Sequence, residues 1–240
     1  MKERIIIFFS ILMAAHSFAQ ENVNAELLTA LNIRSGYKNL GLVNGVEYIE
    51  TYRSINAEHQ FLIGRDFYKG TLEYQGQFYK DIELKYDIFR DILVAKLQRG
   101  VQGTLILELI KDHVTRFSLE DKKFLNVQDT DLNLSKGFYE VILEESNLKL
   151  LKKHRLNARE KQDRSMAYYE FEKLDSEYYY VLNNGGYIAA DRSDLLEILP
   201  DCKNEISKQF KANRSLKRKN PDQFWKELGV SLNIAECIKN

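Results

Sequence analysis

The chain is 240 residues long, with 35 lysines and arginines set against 35 aspartates and glutamates and 44% hydrophobic residues. That length suits one substantial core with a small appendage. The neutral balance leaves no large field to hold nucleic acid or an anionic membrane surface, and the four histidines stand too far apart for a zinc signature.

Taken in chain order, Lys2 and Arg4 precede an apolar run from Ile5 to Ala15, and Ser17-Phe18-Ala19 closes it with small residues where a signal peptidase reads them. This is the pattern of an export signal, residues 1–19, cut after Ala19. The run is too short to cross a bilayer, for which about 20 apolar residues are needed, and no stop-transfer pattern follows. Gln20 then begins an exported chain bound for the periplasm or the medium, and a glutamine there instead of a cysteine argues against a lipoprotein. Residues 20–45 read as an N-terminal helix, near 26–32, and a glycine-punctuated loop.

Residues 46–191 read as an antiparallel β domain. Short aromatic and β-branched segments recur between glycine, asparagine and aspartate, at the spacing of a barrel- or sandwich-like meander. Strands are predicted at 47–52, 60–63, 67–74, 77–86, 91–97, 104–109, 114–119, 122–127, 137–144, 148–156, 167–174, 178–183 and 186–190. Tight hairpins are expected at Tyr74-Gln75-Gly76-Gln77 and Asn183-Asn184-Gly185-Gly186, where residues that tolerate positive φ meet. Alternation along 78–86 puts Phe78, Lys80, Ile82, Leu84 and Tyr86 on one face and Tyr79, Asp81, Glu83 and Lys85 on the other. Tyr178-Tyr179-Tyr180 sets tyrosine on both faces of a strand, as a covered strand, a cleft wall or simple strand propensity would.

From residue 192 the period lengthens to that of a C-terminal helical segment, 192–240, packed on the sheet. One helix covers 193–199 and stops at Pro200, a second runs from Asp201 to about Asn213, and Asn220-Pro221-Asp222-Gln223 opens a third with a capping box. Basic stretches at 211–219 and 149–164 offer contacts to phosphates or acidic glycans, but they lack interleaved aromatics, and a solvated loop is the simpler reading of both. Cys202 and Cys237 form a disulfide or stay as buried thiols; neither stands in a C-x-x-C pair.

Two constellations carry candidate chemistry. Asp129, Asp131, Asn133, Ser135, Gly137 and Glu140 fall at the oxygen-ligand positions of a calcium loop. Leu134 where the sharp turn needs glycine, and Lys136 beside it, count against a metal, and an ordinary polar loop is the alternative. Asp81, Glu83, Asp87 and Asp91 offer the paired carboxylates of a glycoside hydrolase, with Asp81 and Glu83 on one strand face, though an exposed sheet face carries the same alternating charge. Serine-nucleophile, dinucleotide and P-loop patterns are lacking, and no cofactor is implied.

Residues 67–91 (FYKGTLEYQGQFYKDIELKYDIFRD), Gly137-Phe138-Tyr139-Glu140-Val141 and the helical 196–211 resemble an uncharacterised family of exported, β-rich Bacteroidota proteins. The resemblance implies a Gram-negative envelope or secreted location and brings no assigned activity. The expectation is a non-enzymatic binding or interaction module with a lipid, a glycan or an envelope protein as partner. The alternative is a hydrolase working through the carboxylates at 81–91.

Overall fold

The computed structural model describes residues 41–54, 58–98, 103–128, 134–163, 166–182 and 186–232. The export signal, the helix expected at 26–32 and the Asn183–Gly185 turn lie outside the described residues. Eleven strands are present: β1 (Val46–Glu47), β2 (Tyr68–Tyr74), β3 (Gln77–Asp87), β4 (Ile92–Gln98), β5 (Thr104–Glu108), β6 (Val114–Leu119), β7 (Lys122–Val127), β8 (Gly137–Glu144), β9 (Leu148–Asp163), β10 (Met166–Leu182) and β11 (Tyr187–Ala189). They form one antiparallel sheet in the order β1-β5-β4-β3-β2-β6-β7-β8-β9-β10-β11, whose ends do not meet, so it is an open sheet and not a closed barrel. Four helices follow: α1 (Arg192–Ile198), α2 (Lys203–Ala212), α3 (Arg214–Lys219) and α4 (Pro221–Ser231).

The β2–β3 hairpin turns where Gln75 and Gly76 both take positive φ, 51° and 73°, as a tight two-residue connection requires. Six residues on, the sequence pattern misleads. Pairing slips from Gly70 opposite Ile82 to Leu72 opposite Tyr79, a bulge that sets Lys80 and Asp81 together against Thr71, with Asp81 at φ 55°. The slip reverses the expected facing at the start of β3: Tyr79 is buried, whereas Phe78 is 40% exposed. Two other predicted strands shrink. The 47–52 segment keeps only β1 before the chain leaves the edge, and 60–63 makes one isolated bridge, Phe61 to Asp87.

The sheet is strongly curled. A flat sheet would hold β5 about 19 Å from β6, four strand spacings away. The five-residue link between them contains a 3₁₀ turn, Lys111–His113, and falls short of that span. Curling brings the β3–β4 turn against β8 and β9, where the Asp91 carboxylate accepts from the Phe138 amide at 3.3 Å and meets Lys153 Nζ at 2.9 Å. Inside the curl, Leu72, Leu84, Tyr86, Phe117, Phe124 and Phe138 form one core. A second core lies under the helices, where Leu150, Tyr180 and Ile188 of the sheet meet Leu195, Ile206, Phe224, Trp225 and Leu228.

Gly137 lets the curl close. Its φ of 140° suits only glycine, and a Cβ there would strike the Asp91 carboxylate and the Lys153 ammonium. Gly137→Ala is expected to lose about 2 kcal/mol, from strain and from pushing the Asp91 pair apart. A lowered midpoint in denaturant titration checks this, and an unchanged midpoint would refute the account of the closure.

The strand predicted at 148–156 is present and runs on as β9 to Asp163, so the described part of the basic stretch 149–164, whose charge was expected on a solvated loop, lies on a strand. Its charge is legible only beside β10, whose acidic residues answer it: Arg155 meets Glu177 at 2.9 Å, Lys161 meets Glu170 at 3.4 Å, and Arg159 reaches Glu172 at 3.8 Å. The pairs expected as separate strands at 167–174 and 178–183 are one strand, β10, bent by a bulge between Leu174 and Glu177.

The helical tail follows its signals. Asp191 caps α1 by accepting the Asp194 amide, and Asn220 accepts the Gln223 amide at 3.1 Å with Pro221 in the first turn of α4. Residues 214–219, expected as loop, are helix α3. Among the described residues no helix is long and apolar enough to cross a membrane.

Candidate functional site

The four acidic residues considered for catalysis are not brought together. Asp81 sits exposed on its bulge, and Glu83 pairs with Lys96 at 3.0 Å. Asp87 is fully buried, its Oδ1 accepting the Arg90 amide while Oδ2 has no hydrogen-bond partner among the described residues. Burial pushes the Asp87 carboxyl up to about 6 against the opposing pull of the Arg90 amide. Asp91 accepts from the Tyr86 hydroxyl at 2.6 Å and is pinned by Lys111 and Lys153. Burial would raise its pKa, but Lys153, the Tyr86 hydroxyl and Lys111 hold it below the usual range. No two of these carboxylates share a partner, so the arrangement offers no acid and base across a common substrate.

The calcium candidates separate likewise. Asp129, Asp131 and Asn133 lie outside the described residues. Ser135 hydrogen-bonds the Tyr139 hydroxyl on one face of β8, while Glu140, the next residue, projects from the other. The Glu140 oxygens are taken by Lys122 at 2.8 Å and His154 at 2.6 Å. Among the described residues no three His, Cys, Asp or Glu side chains group as a metal site. Cys202 is disulfide-bonded, and Cys237 lies outside the described residues.

Glu140 marks the seam between the two cores. Burial alone would raise its carboxyl, but hydrogen bonds from His154 and Lys122 hold it down at about 2. Lys152, opposite Glu140 on β9, lies 3.9 Å from it and 2.8 Å from Asp222 in the first turn of α4. The Tyr178 hydroxyl donates to the same Asp222, and Tyr180 donates to the Trp225 carbonyl. The tyrosine run thus has a structural use: two of its hydroxyls fasten α4 to the sheet, and burial followed by Asp222 drives the Tyr178 phenol far above its ordinary pKa.

Where the tail docks, it leaves an open groove of about 1470 Å³. The bulge of β10 (Leu174 to Glu177) forms one wall, and the basic α2–α3 turn forms the other with Lys211, Arg214, Lys217 and Arg218. Tyr178, Phe210 and Trp225 line its base, and Arg192 at the start of α1 closes one side. Phe210 positions cations there: Lys217 Nζ lies 4.9 Å from its ring centre and 5.3 Å from that of Trp225, and the Arg192 guanidinium lies 5.9 Å from Phe210.

Of this groove, the basic stretches at 211–219 and 149–164 (through Lys152), Tyr178 and Tyr179 of the tyrosine run, and Pro221 of the capping sequence stand out in the sequence. Arg192, Phe210 and Trp225 read as ordinary helix residues, because their convergence depends on how three helices fold back on β10. No protein-family profile, curated protein or solved structure matches the chain.

Proposed function

We propose that this is an exported, non-enzymatic binding module of the cell envelope that holds its ligand in the groove between β10 and the helical tail. The observation that carries the reading is the groove itself. Its volume of about 1470 Å³ exceeds the roughly 300–1,000 Å³ of drug-sized pockets, so it suits an extended ligand. Its walls come from elements locked to each other by the Lys152–Asp222 pair and the Tyr178 and Tyr180 hydroxyls, so the groove exists before any ligand arrives. Export rests on the N-terminal pattern and on the family resemblance; the mature protein recovered from the periplasm or medium is expected to begin at Gln20 by intact mass, and a retained leader would refute it.

A thermal-shift panel of glycans, lipids and peptides tests the binding reading. Ligands that raise the melting midpoint are expected to lose that effect in Ser215→Trp, which fills the groove from the exposed face of α3 and should leave the unliganded midpoint unchanged. Equal stabilisation of both proteins, or no stabilising compound at all, would count against the groove.

A further inference from the structure

Resting on the groove reading, we infer that its ligand is an acidic oligosaccharide, one carrying carboxylate or sulfate groups along a hydroxyl-rich chain. The charge pattern is the first argument. Among the described residues the ion pairs at the groove use Lys152 and Glu177, while Arg192, Lys211, Arg214, Lys217 and Arg218 take part in none. Asp191, which lines the groove beside Arg192, accepts from the Asp194 amide and the Ser193 hydroxyl in capping α1, and its field on Lys217 offsets only part of the positive charge.

Like charges are being held together here. Phe210 carries Lys217 from α3 and Arg192 from α1 on one ring, which fixes two cations near each other, and the one groove carboxylate that acts on Lys217, Asp191, reaches it through space without an ion-pair contact. Ordering them costs side-chain entropy and mutual repulsion, and an anionic group placed between them offsets both. Arg214 and Arg218, one turn apart on α3, extend the positive wall by about 6 Å at the helical rise of 1.5 Å per residue, and Lys211 at the end of α2 carries it further, longer than one acid group needs. The arrangement therefore favours an anion with repeated charges.

The opposite wall decides between kinds of polyanion. An acidic peptide would bind most simply by adding a strand to the edge of β10 that β11 leaves uncovered below Tyr179, but the bulge between Leu174 and Glu177 breaks the regular edge at that point. What that wall presents instead is Asp175 and Ser176, faced by Ser215 on α3. These are acceptors and hydroxyls, suited to sugar hydroxyls that both donate and accept. A uniformly anionic lipid surface would set its charge against Asp175 as well as against the lysines.

Isothermal titration of the full exported chain with an oligogalacturonate, with a chondroitin sulfate oligosaccharide and with a neutral glucan of the same length tests the inference, poly-glutamate and phosphatidylglycerol vesicles being run beside them. One or both acidic saccharides are expected to bind and the neutral glucan not. Affinity should fall about tenfold or more in Arg214→Glu/Arg218→Glu, two exposed positions whose change should leave the fold intact by circular dichroism, and should fall again with added salt. Which saccharide binds separates carboxylate from sulfate recognition. Binding confined to poly-glutamate or vesicles and lost in the double variant overturns the saccharide while the groove stands. Absence of any probe whose binding depends on Arg214 and Arg218 overturns both.

Discussion

Asp87→Asn is expected to make the protein more stable at neutral and alkaline pH, by about 3 kcal/mol relative to the same comparison in acid. Burial penalises the charged form and pushes the carboxyl up to about 6 in the folded chain, against an ordinary 3.8. Below pH 3.8 both folded and unfolded chains carry the proton, and the group costs nothing. As pH rises through the window from 3.8 to about 6, the unfolded chain releases its proton first, so folding loses ground until both forms are ionised. Above that window the full cost remains, because Oδ2 stays buried without a partner. Asparagine keeps an oxygen for the Arg90 amide and removes the titration. Urea titrations of both proteins between about pH 3.5 and about pH 8 should show the variant gaining across the window and level beyond it. Parallel stability curves would refute the assignment. The consequence reaches the crossing segment at 58–63, since Phe61 bridges to Asp87 and the Ile88 amide donates to the Gln60 carbonyl beside it. That contact should tighten as the carboxyl takes up its proton.

Strands whose alternation is local were legible in the sequence, as at β6 and β7, which the structure places on the predicted residues. So were the β2–β3 turn and the Asn220 cap, since their signals lie within four residues of each other. The bulge at Lys80–Asp81 was not, because an inserted residue in an aromatic strand leaves both neighbouring registers plausible until the partner is known. The strand at 148–156 was legible, but its continuation to Asp163 and the use of its charge were not, for a related reason: that positive charge belongs to a strand only when Glu170, Glu172 and Glu177 stand across from it. The groove was the least legible. Its walls join residues near 175, 192 and 214, and what brings them together is the tail's attachment through Asp222, a contact with no sequence period.

Glu140→Gln should therefore reach further than any other single change in that attachment. It is expected to cost about 3 kcal/mol at neutral pH, since the carboxyl falls from 4.5 to about 2 on folding. A depressed carboxyl contributes stability that is present above pH 4.5 and lost as pH falls toward about 2, so the gap between native and variant proteins should narrow over that interval. The neutral amide leaves the Lys122 ammonium facing a group that no longer balances it, takes one acceptor oxygen from the Lys122 and His154 contacts, and leaves Lys152 only Asp222. Hydrogen exchange separates the two sides of the seam. Asp222→Asn removes the tail's own anchor, so it should speed exchange in α4 and leave β7 to β9 protected. Glu140→Gln should speed exchange in α4 and in β7 to β9 together, because its carboxylate binds Lys122 on β7 and His154 on β9 as well as facing Lys152. If Glu140→Gln leaves α4 as protected as in the native chain, the Lys152–Asp222 pair, Tyr178, Tyr180 and the apolar contacts of Phe224 and Trp225 hold the tail without Glu140, and that carboxylate plays no part in keeping the groove in shape.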